Sequence, residues 1–222
     1  MSTAPPSADV AAAIPAAAVP AAAVGGPVWE VATLFPPQGE WTWADLDRLS
    51  SERPIELSNG CLEFLPMPVW LHETIIDFFT QLMKATLEKP LGGRVLGCGL
   101  RMDLFPGTSR LADVKWFSPE DMPAEGVRYP PRCTIGVEVV SDDPESIERD
   151  YHAKRADYAR AGFREYWIVD PQAGRITVLV LDGDAYRQHG VFTPGQTATS
   201  ATFPTFECDV AAALRGDVYR GP

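Results

Sequence analysis

Positive charge is scarce in this chain: 19 Lys and Arg stand against 30 Asp and Glu, for a formal net charge of −11. That balance excludes an extended basic face able to grip a polyanion unaided. A local cationic patch, or divalent ions held by acidic side chains, would have to invert the sign wherever a phosphate approached. Cysteines are also few. Cys61, Cys98, Cys133 and Cys208 lie far apart with no C-x-x-C pair, so their spacing gives neither a zinc-ligand set nor a disulfide framework. Buried small hydrophobes in a reducing cytoplasm fit them best. Outside the Ala/Pro-rich first 27 residues no stretch of roughly 18 apolar residues occurs, which argues against a membrane span, and no internal repeat is visible.

Lysine and arginine are missing altogether until Arg48. The first 27 residues are almost entirely Ala, Pro, Val, Gly and Ser, with Asp9 the single charged side chain. Without a basic start they do not read as a signal peptide. Prolines interrupt every would-be helix, and too few large apolar groups are present to offset chain entropy, so residues 1–27 read as a disordered tail. Residues 28–222 have the composition and length of one folded domain.

Within that domain Thr42 caps a short helix running toward Leu49. Asn59-Gly60 between two apolar-rich runs predicts a type I′ hairpin near the N-terminus. A long helix follows over about 69–88, apolar on two sides through Leu71, Ile75, Phe78, Leu82 and Ala85 on one stripe and Ile76, Phe79 and Met83 on the other, so a sheet should cover it. Strands are expected over Arg94–Phe105 with a break at Gly97 and Gly99, over Leu111–Phe117, and over Cys133–Val140. Asp142-Asp-Pro144-Glu announces a further helix that ends at Gly162. Glu165–Asp170 is a buried strand, and Arg175–Leu181 pairs with Ala185–Phe192 across Asp182-Gly183. A last helical turn covers Val210–Leu214. The order implies an α/β fold with a mixed sheet flanked by helices.

Charge in the middle of such strands is costly, because a buried carboxylate must be paired, metal-bound or neutralised. Asp113 in Ala112–Phe117 and Glu138 in Thr134–Val140 are therefore the leading candidates. Taken alone, each is as well read as a strand-end or surface acid. If their strands are neighbours the two converge, and at about 5 Å with an effective dielectric near 20 they repel by roughly 3 kcal/mol. A divalent ion removes that penalty. Mg²⁺ takes one or two protein carboxylates and leaves positions for water and phosphate, so the pair suits phosphodiester hydrolysis with a lysine nearby. On the next helix Asp150, Lys154 and Tyr158 follow at i, i+4 steps on one face, and Lys115 on the Asp113 strand is a rival cation.

The order Ala112-Asp113-Val, Val137-Glu138-Val-Val-Ser141, Asp150 with Lys154 and Tyr158, then Gly162-Phe-Arg-Glu-Tyr-Trp-Ile-Val-Asp-Pro171 resembles the Uma-type family of restriction endonucleases within the PD-(D/E)XK nuclease superfamily. Ile55-Glu-Leu-Ser-Asn-Gly60, His72 and Arg101-Met-Asp103 stand in the order that family shows, so the likeness spans about 40–215. It implies a restriction-endonuclease-like core and a DNA-cleaving, Mg²⁺- or Mn²⁺-dependent enzyme. By it, Asp113 and Glu138 hold the metal and Lys154 is the lysine moved onto the helix, since Val140 occupies its usual place two residues after the acid. Ala112 replaces the family's proline. Glu56, His72, Asp103, Lys115 and Tyr158 are secondary candidates, and Tyr166 and Trp167 read as core aromatics. DNA is the expected partner. A homodimer would supply the two sites that double-strand cleavage requires, although no segment demands one. The competing reading is a catalytically inactive nuclease-fold module for binding or assembly, which the acidic balance favours.

Overall fold

The computed structural model describes residues 34–221; the expected tail over 1–27 lies outside them. Pro37–Pro222 forms one compact unit. Its first turn, Trp43–Leu46, is fixed by a reciprocal cap in which Asp45 N–H donates to the Thr42 hydroxyl and Thr42 N–H donates to the Asp45 carboxylate. The hairpin joins β1 (Ile55–Ser58) and β2 (Cys61–Phe64), with Ser58 opposite Cys61. Asn59 at φ 49° and Gly60 at φ 76° supply the two positive angles that a type I′ turn requires. The long helix runs Trp70–Met83, widens into a π turn over Lys84–Glu88 and closes with Lys89–Leu91.

The chain continues through β3 (Arg94–Leu96), β4 (Met102–Phe105), β5 (Thr108–Arg110), β6 (Val114–Phe117) and β7 (Ile135–Val139). A helix capped by Asp143 follows as Pro144–Glu148, a π turn over Arg149–Ala153, and Lys154–Ala161, ending on Gly162 in the left-handed region. Then come β8 (Glu165–Asp170), β9 (Arg175–Asp182), β10 (Ala185–Phe192), the short β11 (Thr197–Thr199) and β12 (Glu207–Asp209), and a closing helix Val210–Arg215.

Six strands form the central sheet in the order β10-β9-β8-β7-β6-β3. Only β7 and β8 pair in parallel, and a parallel pair needs a crossover, which the helix from Asp143 to Gly162 provides. The sheet is buried on both faces. One face carries Val114, Trp116, Val137, Val139, Trp167 and Val169 against Ile75, Phe79, Leu82 and Met83 of the long helix. The other packs Phe117, Tyr166, Ile168 and Leu179 against Tyr158, Ala159 and Phe163. Gly136 admits the Phe163 ring, since a Cβ there would stand 3.1 Å from it.

Three expectations need correction. The Arg94–Phe105 run is divided between sheets: β3 edges the central one, whereas β4 joins β5, β1 and β2 in a second sheet of order β2-β1-β5-β4. Glycines at 97 and 99, the latter at φ +98°, break the run. The N-terminal hairpin is thus half of a four-stranded sheet. Next, β5 lies between two expected strands where no strand was expected, because Thr108, Ser109 and Arg110 are buried polar residues that show no apolar alternation. Finally, Asp113 stands one residue before β6 and not on it. Continuing the β6–β7 register of Val114 opposite Val137 by one step still sets Asp113 against Glu138.

Candidate active site

At that end of the sheet a cavity of about 210 Å³ is lined by Asp113, Glu138, Asp150 and Lys154, with His72 and Arg149 beside them. Asp113 turns its Oδ2 to Val139 N–H (2.8 Å) and to His72 Nε2 (3.5 Å). Among the described residues its Oδ1 has no hydrogen bond. Burial pushes the Asp113 carboxyl up, but His72, Lys154 and the Val139 amide together hold it below the usual carboxylate range. His72 comes from the first turn of the long helix and lines the cavity. Burial opposes its proton, and Asp113 outweighs that, so its pKa lies above the ordinary imidazole value.

Glu138 is the penultimate residue of β7 and is 1 % exposed. Tyr158 Oη donates to its Oε1 at 2.5 Å and Lys154 Nζ lies 2.8 Å from its Oε2. Lys154, 3 % exposed, also lies 3.3 Å from Asp150 Oδ1 and 3.5 Å from Glu56 Oε1. The π turn just before Lys154 gives the helix an extra residue at the point where it meets the site, a common feature of functional helices. Burial raises Glu138 to a pKa of about 8 against the pull of Lys154, with Asp113, Asp150 and Glu56 adding to the rise. Burial works against the Lys154 charge, but the four surrounding carboxylates overcome it and raise its pKa. Lys154 is thus shared among acids of which Glu56 also meets Arg110 and Asp113 also meets His72.

Glu56 extends the network behind the lysine. It is fully buried on β1, accepts from Leu111 N–H through Oε1 and holds Arg110 through Oε2 at 3.0 Å. Arg110, equally buried, reaches Glu63 at 2.8 Å, Asp157 at 2.7 Å and Ser58. The second sheet is thereby fastened to the helix that carries Lys154.

The structure thus brings together Asp113, Glu138, Lys154, Glu56, His72 and Tyr158. It sets two candidates apart. Lys115 donates to the Gly97 carbonyl at 2.7 Å, and burial lowers its pKa. Asp103 is taken up by Arg101 at 2.8 Å and the Ser109 hydroxyl within the second sheet. Tyr166 and Trp167 are buried in the core, bonded to the Asp150 carbonyl and to Glu165. Sequence reasoning passed over Arg110 and Arg149; Arg110, three residues before Asp113 in a run without alternation, offered no periodic signal.

Hard oxygen donors with one carboxylate oxygen free, and Asp150 Oδ1 buried without a hydrogen bond, fit a small divalent cation. Among the described residues no group of three or more His, Cys, Asp or Glu forms a metal cage. A cation here would rest on two protein carboxylates, the number Mg²⁺ accepts when water and phosphate complete its shell.

The Uma2 family model, described as "Putative restriction endonuclease", matches residues 43–211. Among solved structures, a crystal structure from Anabaena variabilis ATCC 29413 described as "a putative nuclease belonging to DUF820" superposes with a TM-score of 0.65 at 17 % identity, covering 79 % of this chain and 98 % of that one. At that identity the likeness shows the shared fold. No curated protein matches the chain.

Proposed function

The chain belongs to the Uma2 restriction endonuclease family, and from that premise we propose that it is a metal-dependent endonuclease hydrolysing DNA phosphodiester bonds. The observation that carries the reading is geometric: Asp113, Glu138 and Lys154 line one cavity at the end of the sheet, with Lys154 Nζ 2.8 Å from Glu138 and one Asp113 oxygen without a hydrogen bond among the described residues, an arrangement that a divalent cation on the two carboxylates would complete.

Mg²⁺ or Mn²⁺, when bound, supplies Lewis acidity toward a phosphoryl oxygen and lowers the pKa of a water nucleophile. The chain's own residues prepare the rest. Val139 N–H and His72 hold Asp113 through Oδ2, leaving Oδ1 without a hydrogen bond among the described residues. Tyr158 pins Glu138 from behind. Lys154 is held by acids on three sides and keeps its proton, so it can donate to a phosphate oxygen or to the attacking water without reorganising.

The test is nicking of supercoiled plasmid with Mg²⁺ or Mn²⁺ by the wild type beside Asp113→Asn, Glu138→Gln and Lys154→Ala. Each variant should lose about 10²-fold or more in rate, the scale of removing one preorganised electrostatic group. Equal nicking by all four proteins overturns the assignment. Absence of cleavage of any DNA, together with no divalent-ion binding by calorimetry, would establish the non-catalytic binding module that the net charge of −11 favours.

A further inference from the structure

Lys154 follows Arg149 by five residues. In a regular α-helix of 3.6 residues per turn that step rotates a side chain by about 140°, away from its partner's face. The π turn over Arg149–Ala153 offsets much of this rotation: Lys154 N–H donates to the Arg149 carbonyl, so the two residues lie about one turn apart on the same side. Both accordingly line the active-site cavity, together with Asp113, Glu138 and Asp150.

The two cations differ in how many of their donors are spent. Lys154 Nζ carries three protons and has three carboxylates around it, Glu138 at 2.8 Å, Asp150 at 3.3 Å and Glu56 at 3.5 Å. Arg149 carries five N–H donors, of which one is used among the described residues: Nη2 donates to the Ser146 hydroxyl at 2.5 Å. That hydroxyl in turn donates to Asp143 at the helix cap, so the guanidinium is anchored at one corner. The side chain is 13 % exposed, and its Nε is buried with no hydrogen-bond partner. Asp150 Oδ1 stands 3.8 Å away, beyond hydrogen-bond reach, because consecutive helical residues do not face each other. A buried donor in this state is costly and calls for an acceptor. Charge narrows which one. Glu73, Asp113, Glu138 and Asp150 line the same cavity, so its mouth exerts no general pull on an anion and a phosphate has to be met by individual cations. One is the metal ion of the nuclease reading, on Asp113 and Glu138. The second is the guanidinium with unspent donors, whose planar fork matches phosphate oxygens.

We propose that Arg149 is the phosphate anchor of this site: its unspent N–H groups take a non-bridging oxygen of the scissile phosphodiester, and the attacking water is left to Lys154. The proposal rests on the nuclease reading and assigns the substrate contact within the same site.

The test reads contact and turnover separately, on the full chain with Mg²⁺. Arginine Nε–H groups give their own signals in a ¹H–¹⁵N correlation spectrum, and the one lost in Arg149→Lys belongs to Arg149. Diethyl phosphate, an anionic diester too stable to be cut, should move that signal, and the neutral triester triethyl phosphate should not. Arg149→Gln should weaken diethyl phosphate binding about tenfold, the scale of one charged hydrogen bond, and leave triethyl phosphate unchanged. In plasmid nicking Arg149→Gln should lower kcat/KM about 10²-fold, with Arg149→Lys restoring part of the loss because it keeps the charge without the fork. A signal unmoved by diethyl phosphate, or equal binding by Arg149→Gln and wild type, overturns the anchor even where Asp113→Asn abolishes nicking. Equal losses for both esters, with a lowered urea midpoint, would make Arg149 a brace of its helix and overturn it as well. Where Arg149→Gln fails to fold, the wild-type signal decides by itself. A shift specific to the diester without cleavage of any DNA supports the anchor and overturns the catalytic reading alone.

Discussion

Glu56 shows how much a single side chain carries here. It is buried without any exposed surface, and it is the acid shared by Arg110 and Lys154. Its removal leaves two buried cations undercompensated, and breaking a buried ion pair from one side costs about 3–5 kcal/mol. Arg110 keeps Glu63 and Asp157, so Glu56→Ala should fall near the lower end of that range, measured from urea midpoints. A loss below about 1 kcal/mol would mean that the network is wet and worth no more than a surface pair. The cysteines allow a second residue-scale test. Burial raises the thiols of Cys133 and Cys208, the latter to about 12. The thiolate is the reactive form, so raising a thiol's pKa suppresses reaction at every pH below it. Iodoacetamide at about pH 8 should therefore modify Cys98 and Cys61, which solvent reaches, and spare Cys133 and Cys208 until the protein is unfolded; peptide mass spectrometry reads the order directly.

At the scale of elements, local signals and long-range ones parted company. The Asn59-Gly60 turn, the Asp143 cap and the Gly162 stop were legible because each is decided by a few adjacent residues and their allowed backbone angles. So were Glu138 on its strand and Lys154 one helix later, since a buried charge is conspicuous in any apolar run. The pairing of β4 and β5 with the hairpin was not legible. It depends on Arg110 finding Glu56, Glu63 and Asp157 at separations of 47 to 54 residues, and no local pattern encodes that. The position of His72 beside Asp113 was hidden for the same reason. Two glycines separate turn conformation from close approach. Gly162 sits at φ +86° with its nearest would-be neighbour, an Arg132 nitrogen, 3.5 Å from an added Cβ, so Gly162→Ala should cost only the left-handed penalty of about 1–2 kcal/mol. At Gly93, φ +81°, the added Cβ would lie 2.0 Å from the Phe117 carbonyl oxygen, a backbone atom of the facing strand. Gly93→Ala must therefore displace β3 from β6 and lower the urea midpoint by clearly more than Gly162→Ala. Equal losses would show that the sheet edge yields freely.

For the whole molecule the governing quantity is the net charge of −11, which the fold distributes so that acids crowd the cavity around its one lysine and one arginine, Lys154 and Arg149. A protein that holds nucleic acid mainly through phosphate contacts loses affinity steeply with salt, because each neutralised phosphate releases counterions; on a single strand the log–log slope is about −0.7 per contact. Two contacts at most predict a slope shallower than about −1.4, and hence less than a tenfold loss between roughly 50 and 200 mM KCl at fixed Mg²⁺. An anisotropy titration of a labelled strand across that range reads the slope directly. A loss of about 10³-fold or more would place about seven or more phosphates on the protein. The grip would then have to come from arginines outside the cavity.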